Sequence, residues 1–395
     1  MIQFVNDIDE AKLRMAYNND VIRFYSDKAL PPLYADVTLT ESSLILLADT
    51  EPQVYFSARL YPNPQGRFYI NLQPYVAAAL NTRNFHDTLQ ANIISGSASS
   101  FTYSFADGTF LTGSLSISVA HNGESPDTIT KSLAWIAGSQ QIDSYTRLAK
   151  TNMLLLSPFK KDSAQEYYLK YWQGYPFDIS IFNSVGFLII FNGLEVFNET
   201  NGLARSFSPA RNVTRLVFSD GRSDETLETV LPLAEGTNRL RLAYSTRQTR
   251  AVVEKIPYRN GVYLKWLNAL GGYSYWLFED TYAIDRSTKY NGEIDSDNAN
   301  VENSFGRTLQ IGKTSQDSLK IVAELLTEDE RRIVEGILDS PKIYLFTGKP
   351  FSQNSYRNWA EVTLKTGSAR LKNFKQPLTN FSFDIELPVR YTQSL

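Results

Sequence analysis

The feature of this sequence that most constrains its fold is a succession of short apolar runs, rich in aromatic side chains, each ended by turn-forming residues. Residues 54–61 form one such run, and residues 62–66, which include two prolines and a glycine, end it. Tyrosine, phenylalanine and tryptophan together make up 13% of the 395 residues. These side chains fit the half-buried, pleated surface of a β-sheet. The pattern predicts a mainly β protein.

Residues 1–130 are typical of a β-sandwich, because their short runs and turns follow one another at regular spacing. Residues 101–105 and 110–119 are interpreted as the two strands of a hairpin, with its turn at residues 106–108. Residues 74–80 are predicted to form a helical turn across one end. Because 395 residues are too many for one ordinary core, we expect further domains beyond this segment.

Residues 131–256 repeat this style and are predicted to form a second β-sandwich. The clearest strand in this segment is residues 236–244, in which leucine and tyrosine alternate with arginine and alanine. Residues 176–182 and 186–191 are also interpreted as strands. The segment is predicted to begin with a mixed, partly helical linker at residues 132–156.

Residues 257–395 are predicted to form an α+β domain, a small β-barrel or sheet with one packed α-helix. The helix begins at Thr327, which forms a capping box with Glu330, and it ends before Pro341. Its apolar side chains lie at helical spacing. They are Ile333, Val334, Ile337 and Leu338. The strands predicted after the helix are residues 343–346, 359–364 and 381–387.

Charge and cysteine content exclude several classes of protein. The net charge is −3 and charged residues make up only 21%, with no long basic run, so we expect no nucleic-acid partner. The absence of cysteine excludes disulfides and thiolate chemistry. The first residues lack the features of a secretory signal, and the longest apolar run, residues 185–191, is far shorter than a membrane span. We therefore predict a soluble protein without membrane insertion.

The sequence offers few residues for catalysis or metal binding. It has only two histidines, His86 and His121, whereas a zinc site needs three or four ligands. No Gly-x-Ser-x-Gly motif provides a hydrolase nucleophile. His86 and Asp87 lie in a polar connection and are interpreted as structural. We therefore assign no catalytic residue, no cofactor and no metal site, and predict that the protein is not an enzyme.

Two segments come close to known binding motifs. Residues 306–314 resemble a phosphate-binding loop, but five residues separate the glycines where four are needed, so a strand with Leu309 and Ile311 pointing inward is predicted. Residues 295–300 resemble the start of a calcium loop. They place Asn300 where that loop needs glycine, and the twelfth position lacks glutamate. A solvated loop is predicted there instead.

Carbohydrate chemistry provides the main alternative function. Glu279 and Asp280 are the best candidates for a glycosidase pair, but adjacent residues of a strand point to opposite faces. Binding of sugars by aromatic rings is therefore favoured over cleavage. The candidate stacking residues are Trp172, Tyr175, Tyr273 and Trp276. In this alternative the protein is an adhesin or a carbohydrate-binding protein with a glycan partner.

The aromatic segment at residues 261–278 allows two interpretations. It bends at Gly271 and Gly272 between two aromatic arms, so it is either the packed core of the third domain or an exposed contact site. On the second interpretation, the chain contacts another subunit or a glycan here. The candidate interface residues are Trp266, Tyr273, Tyr275, Trp276, Phe278, Arg331, Arg332, Phe381 and Phe383.

The same segment carries a family resemblance. Residues 262–278 resemble a motif of tail-region proteins of phages that infect Bacteroidetes. The order of the helix, residues 339–346, the strand at Trp359 and residues 381–388 is similar to the terminal domains of distal-tail and baseplate-hub proteins. The resemblance covers residues 260–390. It implies a structural virion subunit that forms a ring, without a cofactor or an active site.

The resemblance also implies partners and a location. We expect contacts with copies of the same chain and with other tail or baseplate proteins, in the virion tail, and solubility in the host cytoplasm before assembly. Residues 381–387 are interpreted as an edge strand that a neighbouring copy covers. The rim of this contact is predicted to be Glu328, Arg331, Arg332 and Glu335. Deletion of residues 322–395 is predicted to leave two soluble sandwiches that no longer assemble.

Overall fold

The fold is that of a computed structural model, which confirms a mainly β protein. The structure describes residues 1–42, 53–82, 102–104, 106–141, 147–160, 166–183, 193–207, 212–220, 233–279, 282–295, 308–352, 358–371 and 378–393. Strands in this part of the chain form six sheets. Three groups of strands, here called the first, second and third bodies, follow one another along the chain.

The first body consists of two sheets around a common core. One sheet contains β1 (Ile2–Phe4), β3 (Val21–Ser26) and β6 (Arg67–Asn71). The other contains β2 (Leu13–Met15), β4 (Pro32–Glu41), β5 (Val54–Leu60), β8 (Phe110–His121) and β9 (Asp127–Ile136). Apolar side chains alternate along these strands and fill the core, as Phe24 and Leu39 illustrate. Helix α1 (Gln73–Asn81) confirms the predicted helical turn and buries Val76 and Leu80.

The predicted hairpin of residues 101–119 is wrong. Strand β8 is paired on both sides, with β4 and with β9, so neither of its edges is free for another strand. Strand β7 (Thr102–Ser104) instead pairs with β15 (Asn212–Asp220) of the second body. The expected turn is a short helix, α2 (Ala106–Thr109).

The second body also has two sheets. The first contains β7, β10 (Met153–Leu155), β12 (Pro176–Asn183) and β15. The second contains β11 (Glu166–Trp172), β13 (Leu194–Asn198), β14 (Leu203–Phe207), β16 (Gly236–Tyr244) and β17 (Arg247–Ile256). The predicted alternation of β16 is confirmed, because Leu240, Leu242 and Tyr244 are all buried.

Two predictions for the second segment have different outcomes. The linker at residues 132–156 was expected to be partly helical, but its described residues contain no α-helix. Strands β9 and β10 occupy its two ends, where each has a partner strand to pair with. The strand predicted at residues 186–191 lies outside the described residues.

The third body is a sheet of seven strands. Its strands are β18 (Gly261–Leu267), β19 (Tyr273–Glu279), β20 (Tyr282–Tyr290), β23 (Lys313–Leu326), β24 (Ile343–Phe346), β25 (Trp359–Leu364) and β26 (Thr379–Glu386). Their order is β19-β18-β24-β25-β26-β23-β20, so the described strands form an open sheet and not a closed barrel. Helix α3 (Glu328–Val334) packs on this sheet and continues as a 3₁₀ turn (Glu335–Ile337). The predicted capping box of Thr327 and Glu330 is confirmed.

A two-stranded ribbon lies between the end of β20 and the start of β23 in the sequence and extends this strand pair. It pairs β21 (Glu293–Asp295) with β22 (Thr308–Gln310). The prediction of a strand here is confirmed, but the prediction that Leu309 points inward is wrong, because half of its surface is exposed. No described element covers this ribbon, so alternation of its side chains does not create a buried face.

The second and third bodies share one aromatic core. The ring of Trp172 on β11 meets that of Trp276 on β19 edge to face, with the centroids 5.0 Å apart. The ring of Tyr175 lies 4.6 Å from that of Tyr263 on β18. Edge-to-face and tilted pairs are favoured arrangements of aromatic rings, and each stabilises the contact beyond simple burial. The boundary predicted near residue 257 therefore separates two sheets that pack together.

Candidate assembly surface

The aromatic residues predicted as an interface lie in the interior. All seven are at most 5% exposed in the single chain. They are Trp266, Tyr273, Tyr275, Trp276, Phe278, Phe381 and Phe383. Of the two interpretations of residues 261–278, core packing is therefore correct. The prediction that these rings contact another subunit is wrong, because packing between the second and third bodies already covers them.

The four residues proposed to stack on sugars, here called the sugar platform, are buried as well. Trp172 and Tyr175 are at most 2% exposed, as is Tyr273, and Trp276 is only 5% exposed. A sugar stacks on the open face of a ring, and the faces of these four rings are occupied by protein. The four residues therefore cannot bind a glycan in this structure.

Neither of the two helix arginines is fully exposed, and Arg331 has ion-pair partners within the chain. Arg331 donates hydrogen bonds to Glu328 and Glu335, each at 2.5 Å, and only 11% of its side chain is exposed. Arg332 is half-buried. The acidic end of the helix faces the second body, because Glu330 forms an ion pair with Lys170 on β11. The helix thus joins two bodies of one chain.

Strand β26, which contains Phe381 and Phe383, is not an edge strand. It pairs with β23 on one side and with β25 on the other. The predicted edge at residues 381–387 is therefore wrong. The register of β26 depends on strands that are distant in sequence, so the local alternation of its side chains did not reveal its neighbours.

Three buried polar side chains form one hydrogen-bonded network between the second and third bodies. The guanidinium of Arg215 and the carboxylate of Asp178 form a two-point ion pair, and both residues are less than 5% exposed. The hydroxyl of Tyr275 donates to Asp178 Oδ2 at 2.5 Å and accepts from Arg215 Nη2 at 3.1 Å. Buried charges are stable when they are paired and hydrogen-bonded in this way. The network has no access for a substrate, so its role is structural.

A polar cleft of about 450 Å³ lies beside this body. Its lining residues are Arg147, Leu148, Asn152, Met153, Leu154, Phe159, Tyr167, Thr246, Arg247, Gln248, Thr249 and Arg250. The lining contains three arginines and one tyrosine, Tyr167, but neither a carboxylate nor a histidine to form an acid–base pair with it. Arg147 forms an ion pair with Asp9. We find no catalytic arrangement in this cleft.

The remaining chemical candidates do not form a site in the described part of the chain. Glu279 binds Arg259 Nη1 through Oε2 at 2.5 Å, and Asp280 lies outside the described residues. His121 is buried, with Nδ1 3.0 Å from the carbonyl oxygen of Leu30, and His86 is not described. Within the described ranges, no group of three or more potential metal ligands comes together.

The feature that distinguishes the surface is an extended ribbon, here called the arm. The arm comprises β20, β21, β22 and residues 313–318 of β23. All nine residues of β20 are exposed, although the strand belongs to the seven-stranded sheet. Its exposed large apolar side chains are Tyr282, Ile284, Tyr290, Ile294 and Leu309.

The apolar side chains of β20 continue the core face of the sheet. Tyr282 pairs with Ile321 and Ile284 pairs with Leu319, so these side chains lie on the same face. Leu319 and Ile321 are at most 3% exposed, whereas Ile284 is 61% exposed. The core-facing side chains of the sheet are therefore buried as far as β23 and become exposed at β20. The core face continues onto the arm, where no described residues bury it.

The outer edge of β20 presents main-chain hydrogen-bonding groups. Leu387 donates its N–H to the carbonyl oxygen of Asp317 at 3.1 Å, so Asp317 directs its main-chain groups toward β26. Arg286 lies opposite Asp317 and by the antiparallel pattern directs its own N–H and C=O away from β23. Because successive residues alternate, the even-numbered residues from Tyr282 to Tyr290 do the same.

Each face of the arm carries one ion pair between β20 and β23. Arg286 donates from Nε to Asp317 Oδ1 at 2.6 Å and from Nη2 to Oδ2 at 3.1 Å. This guanidinium lowers the pKa of the Asp317 carboxyl below its ordinary value. On the other face, Asp285 forms an ion pair with Lys320 at 2.8 Å. Lys289 lies on that face too, and among the described residues no carboxylate pairs with it.

Strand β20 was not predicted, although its sequence carries a weak signal of a strand. Apolar or aromatic residues recur at every second position in part of residues 282–290, which indicates a strand. From Arg286 to Lys289, however, the sequence is polar, which hides the strand. Alternation alone does not reveal whether the apolar face of such a strand is covered.

Comparison with known proteins gives no identification. No known protein family matches the sequence, and no curated protein matches it. Native E. coli alpha-2-macroglobulin has 10% identity and a TM-score of 0.21 over 98% of this chain and 23% of its own, so this chain spans about a quarter of that protein.

Two further solved structures are similarly distant. A chimeric titin Z1Z2 protein has 9% identity and a TM-score of 0.17, over 66% of this chain and 97% of its own. A Bacteroides ovatus protein of unknown function has 11% identity and a TM-score of 0.16, over 62% and 93%. These scores support no argument about fold or function. Among the described residues, no helix has the length and apolar character needed to cross a bilayer.

Proposed function

We propose that the protein is a structural subunit of a phage tail or baseplate ring, which acts through protein–protein contacts without catalysis. The observation that carries the proposal is the arm. An apolar sheet face that extends uncovered into solvent is typical of a surface that is buried in an assembly. A free strand edge beside it is a template for pairing with another chain.

The resemblance of residues 260–390 to terminal domains of distal-tail and baseplate-hub proteins supports the same proposal. The arm belongs to this segment, because β20 to β23 lie within it. The cleft beside the second body, which lacks a catalytic arrangement, does not favour an enzyme. No specific observation favours carbohydrate binding, because the four rings of the sugar platform are buried.

A ring requires two different patches on each subunit, since its contacts run from head to tail. The arm is one exposed apolar surface. A second lies on the outer face of the β3–β6 pair, where Val21, Tyr25 and Tyr69 are exposed. These two surfaces belong to the third and first bodies and are therefore separate candidates for the two contacts.

The test is to locate the protein in virions. We expect mass spectrometry of purified phage to detect it among the tail proteins, and electron microscopy of the full-length protein to reveal particles with cyclic symmetry. A variant with Tyr25→Ser and Tyr69→Ser should lose the rings if the first body contributes a patch. A control, Tyr61→Ser, changes a tyrosine that is 73% exposed, more than Tyr25 or Tyr69, and lies away from that strand pair. Absence from virions together with a strictly monomeric protein would sink the proposal.

A further inference from the structure

Strand β20 is an edge of the seven-stranded sheet, and no strand of the described residues pairs with its outer side. The opposite edge strand, β19, is buried at six of its seven positions, so another chain cannot reach it. The outward main-chain groups of β20 belong to its even-numbered residues, and the side chains on both of its faces are exposed. A nine-residue strand with this geometry can accept a partner strand without any change in the chain itself.

The sequence of β20 is complementary to itself in one antiparallel register. If two copies meet about a two-fold axis at Ser287, Asp285 of each lies opposite Lys289 of the other. On the opposite face of the strands, Ile284 then lies opposite Tyr290, so the same register forms both the ion pairs and the apolar pairs. Opposite charges and aromatic–β-branched pairs are both favourable between strands.

Neighbouring registers lack this complementarity. A two-fold axis at Arg286 places two guanidinium groups opposite each other, and an axis at Asp285 does the same for two carboxylates. An axis at Thr288 places Lys289 opposite Ser287 and leaves its ammonium group without a carboxylate. Like charges opposite each other are destabilising. Charge therefore selects the register that is centred on Ser287.

We infer that β20 pairs with β20 of a second copy of this chain, antiparallel and centred on Ser287, so that two sheets of seven strands join into one. The hydrogen bonds run between the main-chain groups of Arg286 and Thr288 of the two copies. The Asp285–Lys289 pairs fix the register on one face, and the Ile284–Tyr290 pairs bury the uncovered core face on the other.

This inference rests on the assembly role proposed for the arm and names its partner. A two-fold contact cannot close a ring by itself, because rings need head-to-tail contacts. The contact therefore joins subunits in addition to the ring contacts, as between two rings placed back to back.

Charge exchange in the full-length protein tests the register. Asp285→Lys and Lys289→Asp each replace both ion pairs by repulsive pairs, so each variant should lose the β20–β20 contact that the wild type makes, with the dissociation constant of that contact raised about tenfold or more and the mass of the assembly halved. A mixture of the two variants restores both ion pairs and should dimerise. Sedimentation velocity measures all three samples. Arg59→Asp makes the same change of charge as Lys289→Asp, on β5, another edge strand, and should leave the β20–β20 contact intact.

A second variant tests the strand pairing itself. The N–H of Thr288 points outward, so Thr288→Pro removes no main-chain hydrogen bond within the chain, and within the chain it costs only the exposed 3.4 Å contact between Thr288 Oγ1 and Ser315 Oγ. The variant should fold but no longer make the β20–β20 contact. A monomeric wild type, or a mixture that fails to dimerise although both variants are folded by circular dichroism, would overturn the inference. Neither result bears on the presence of the protein in virions, so the proposed function can fail or stand separately.

Discussion

At the scale of single residues, the buried carboxylate of Asp178 links the second body to the third. It accepts hydrogen bonds from Arg215 of the same sheet and from Tyr275 on β19. A buried ion pair stabilises a protein only when its remaining hydrogen-bonding capacity is also satisfied. The Tyr275 hydroxyl supplies that bond from the neighbouring body.

Replacement of this hydroxyl should therefore weaken the joint. We expect Tyr275→Phe to lower the free energy of unfolding by about 1–3 kcal/mol, because a buried acceptor loses its donor. Asp178→Ala should cost more, about 3–5 kcal/mol, because it leaves the charge of Arg215 buried without a partner. Urea unfolding measures both. Tyr282→Phe removes an exposed hydroxyl and should change stability by less than about 0.5 kcal/mol. Equal effects of the two tyrosine variants would contradict this account.

The sequence alone cannot reveal such residue-scale roles. Tyr275 and Tyr282 both occur in strands rich in aromatic residues, and yet one is 4% and the other 45% exposed. The difference arises because β19 packs between two bodies whereas β20 extends beyond the sheet cover. That information depends on contacts between distant parts of the chain, which a local pattern does not contain.

At the scale of elements, α3 is the clearest case in which local sequence was sufficient. Thr327 accepts from the amide of Glu330, whose own carboxylate accepts from the amide of Thr327 at 2.8 Å. Both bonds lie within four residues, so the capping box was visible in the sequence. The pairing of Glu330 with Lys170 was not visible, because 160 positions separate them.

The second role of Glu330 makes the docking of α3 sensitive to pH. Burial acts to raise the pKa of Glu330, but hydrogen bonds from Lys170 and from the amide of Thr327 outweigh it and hold the pKa below the ordinary 4.5. A lowered pKa in the folded state adds stability above the unfolded pKa, and this stability is lost as pH falls through the folded pKa.

We therefore expect Glu330→Gln to destabilise the protein at pH 7 and to have a much smaller effect below the lowered pKa. Thermal unfolding of wild type and variant at a series of pH values measures the difference. The control is Glu324→Gln, which changes an exposed carboxylate on β23. A difference between wild type and Glu330→Gln that stays constant down to pH 3 would contradict the role of this ion pair.

At the scale of the whole molecule, the three segments predicted from turn spacing correspond to three groups of sheets, but not to three independent cores. The rings of Trp172 and Tyr175 pack against the third body. Deletion of residues 322–395 would cut β23 within its length and remove β24, β25 and β26. The aromatic core would then lose its cover, so two intact sandwiches are no longer the expected product.

Removal of the arm is a cleaner test of assembly. Ser287 and Gln316 lie directly opposite each other and direct their main-chain groups toward each other, so residues 288–315 can be replaced by an Asn-Gly turn that joins them. We expect the shortened protein to keep the thermal unfolding transition of the wild type but to remain monomeric in light scattering. The control is a variant with the same two-residue turn inserted after Gly123, in the exposed turn between β8 and β9. If the shortened protein forms the same oligomer, another surface carries the assembly.

The unequal edges of the third body limit how far strand addition can proceed. One edge, β19, is covered by the same chain, and no described strand pairs with the outer side of the other, β20. A sheet with two open edges can add copies without end and grow into a fibre, which is the usual hazard of exposed strands. Because each subunit has one available edge in this sheet, strand addition stops after two copies. Burial of β19 thus limits self-association through this sheet to a pair of subunits.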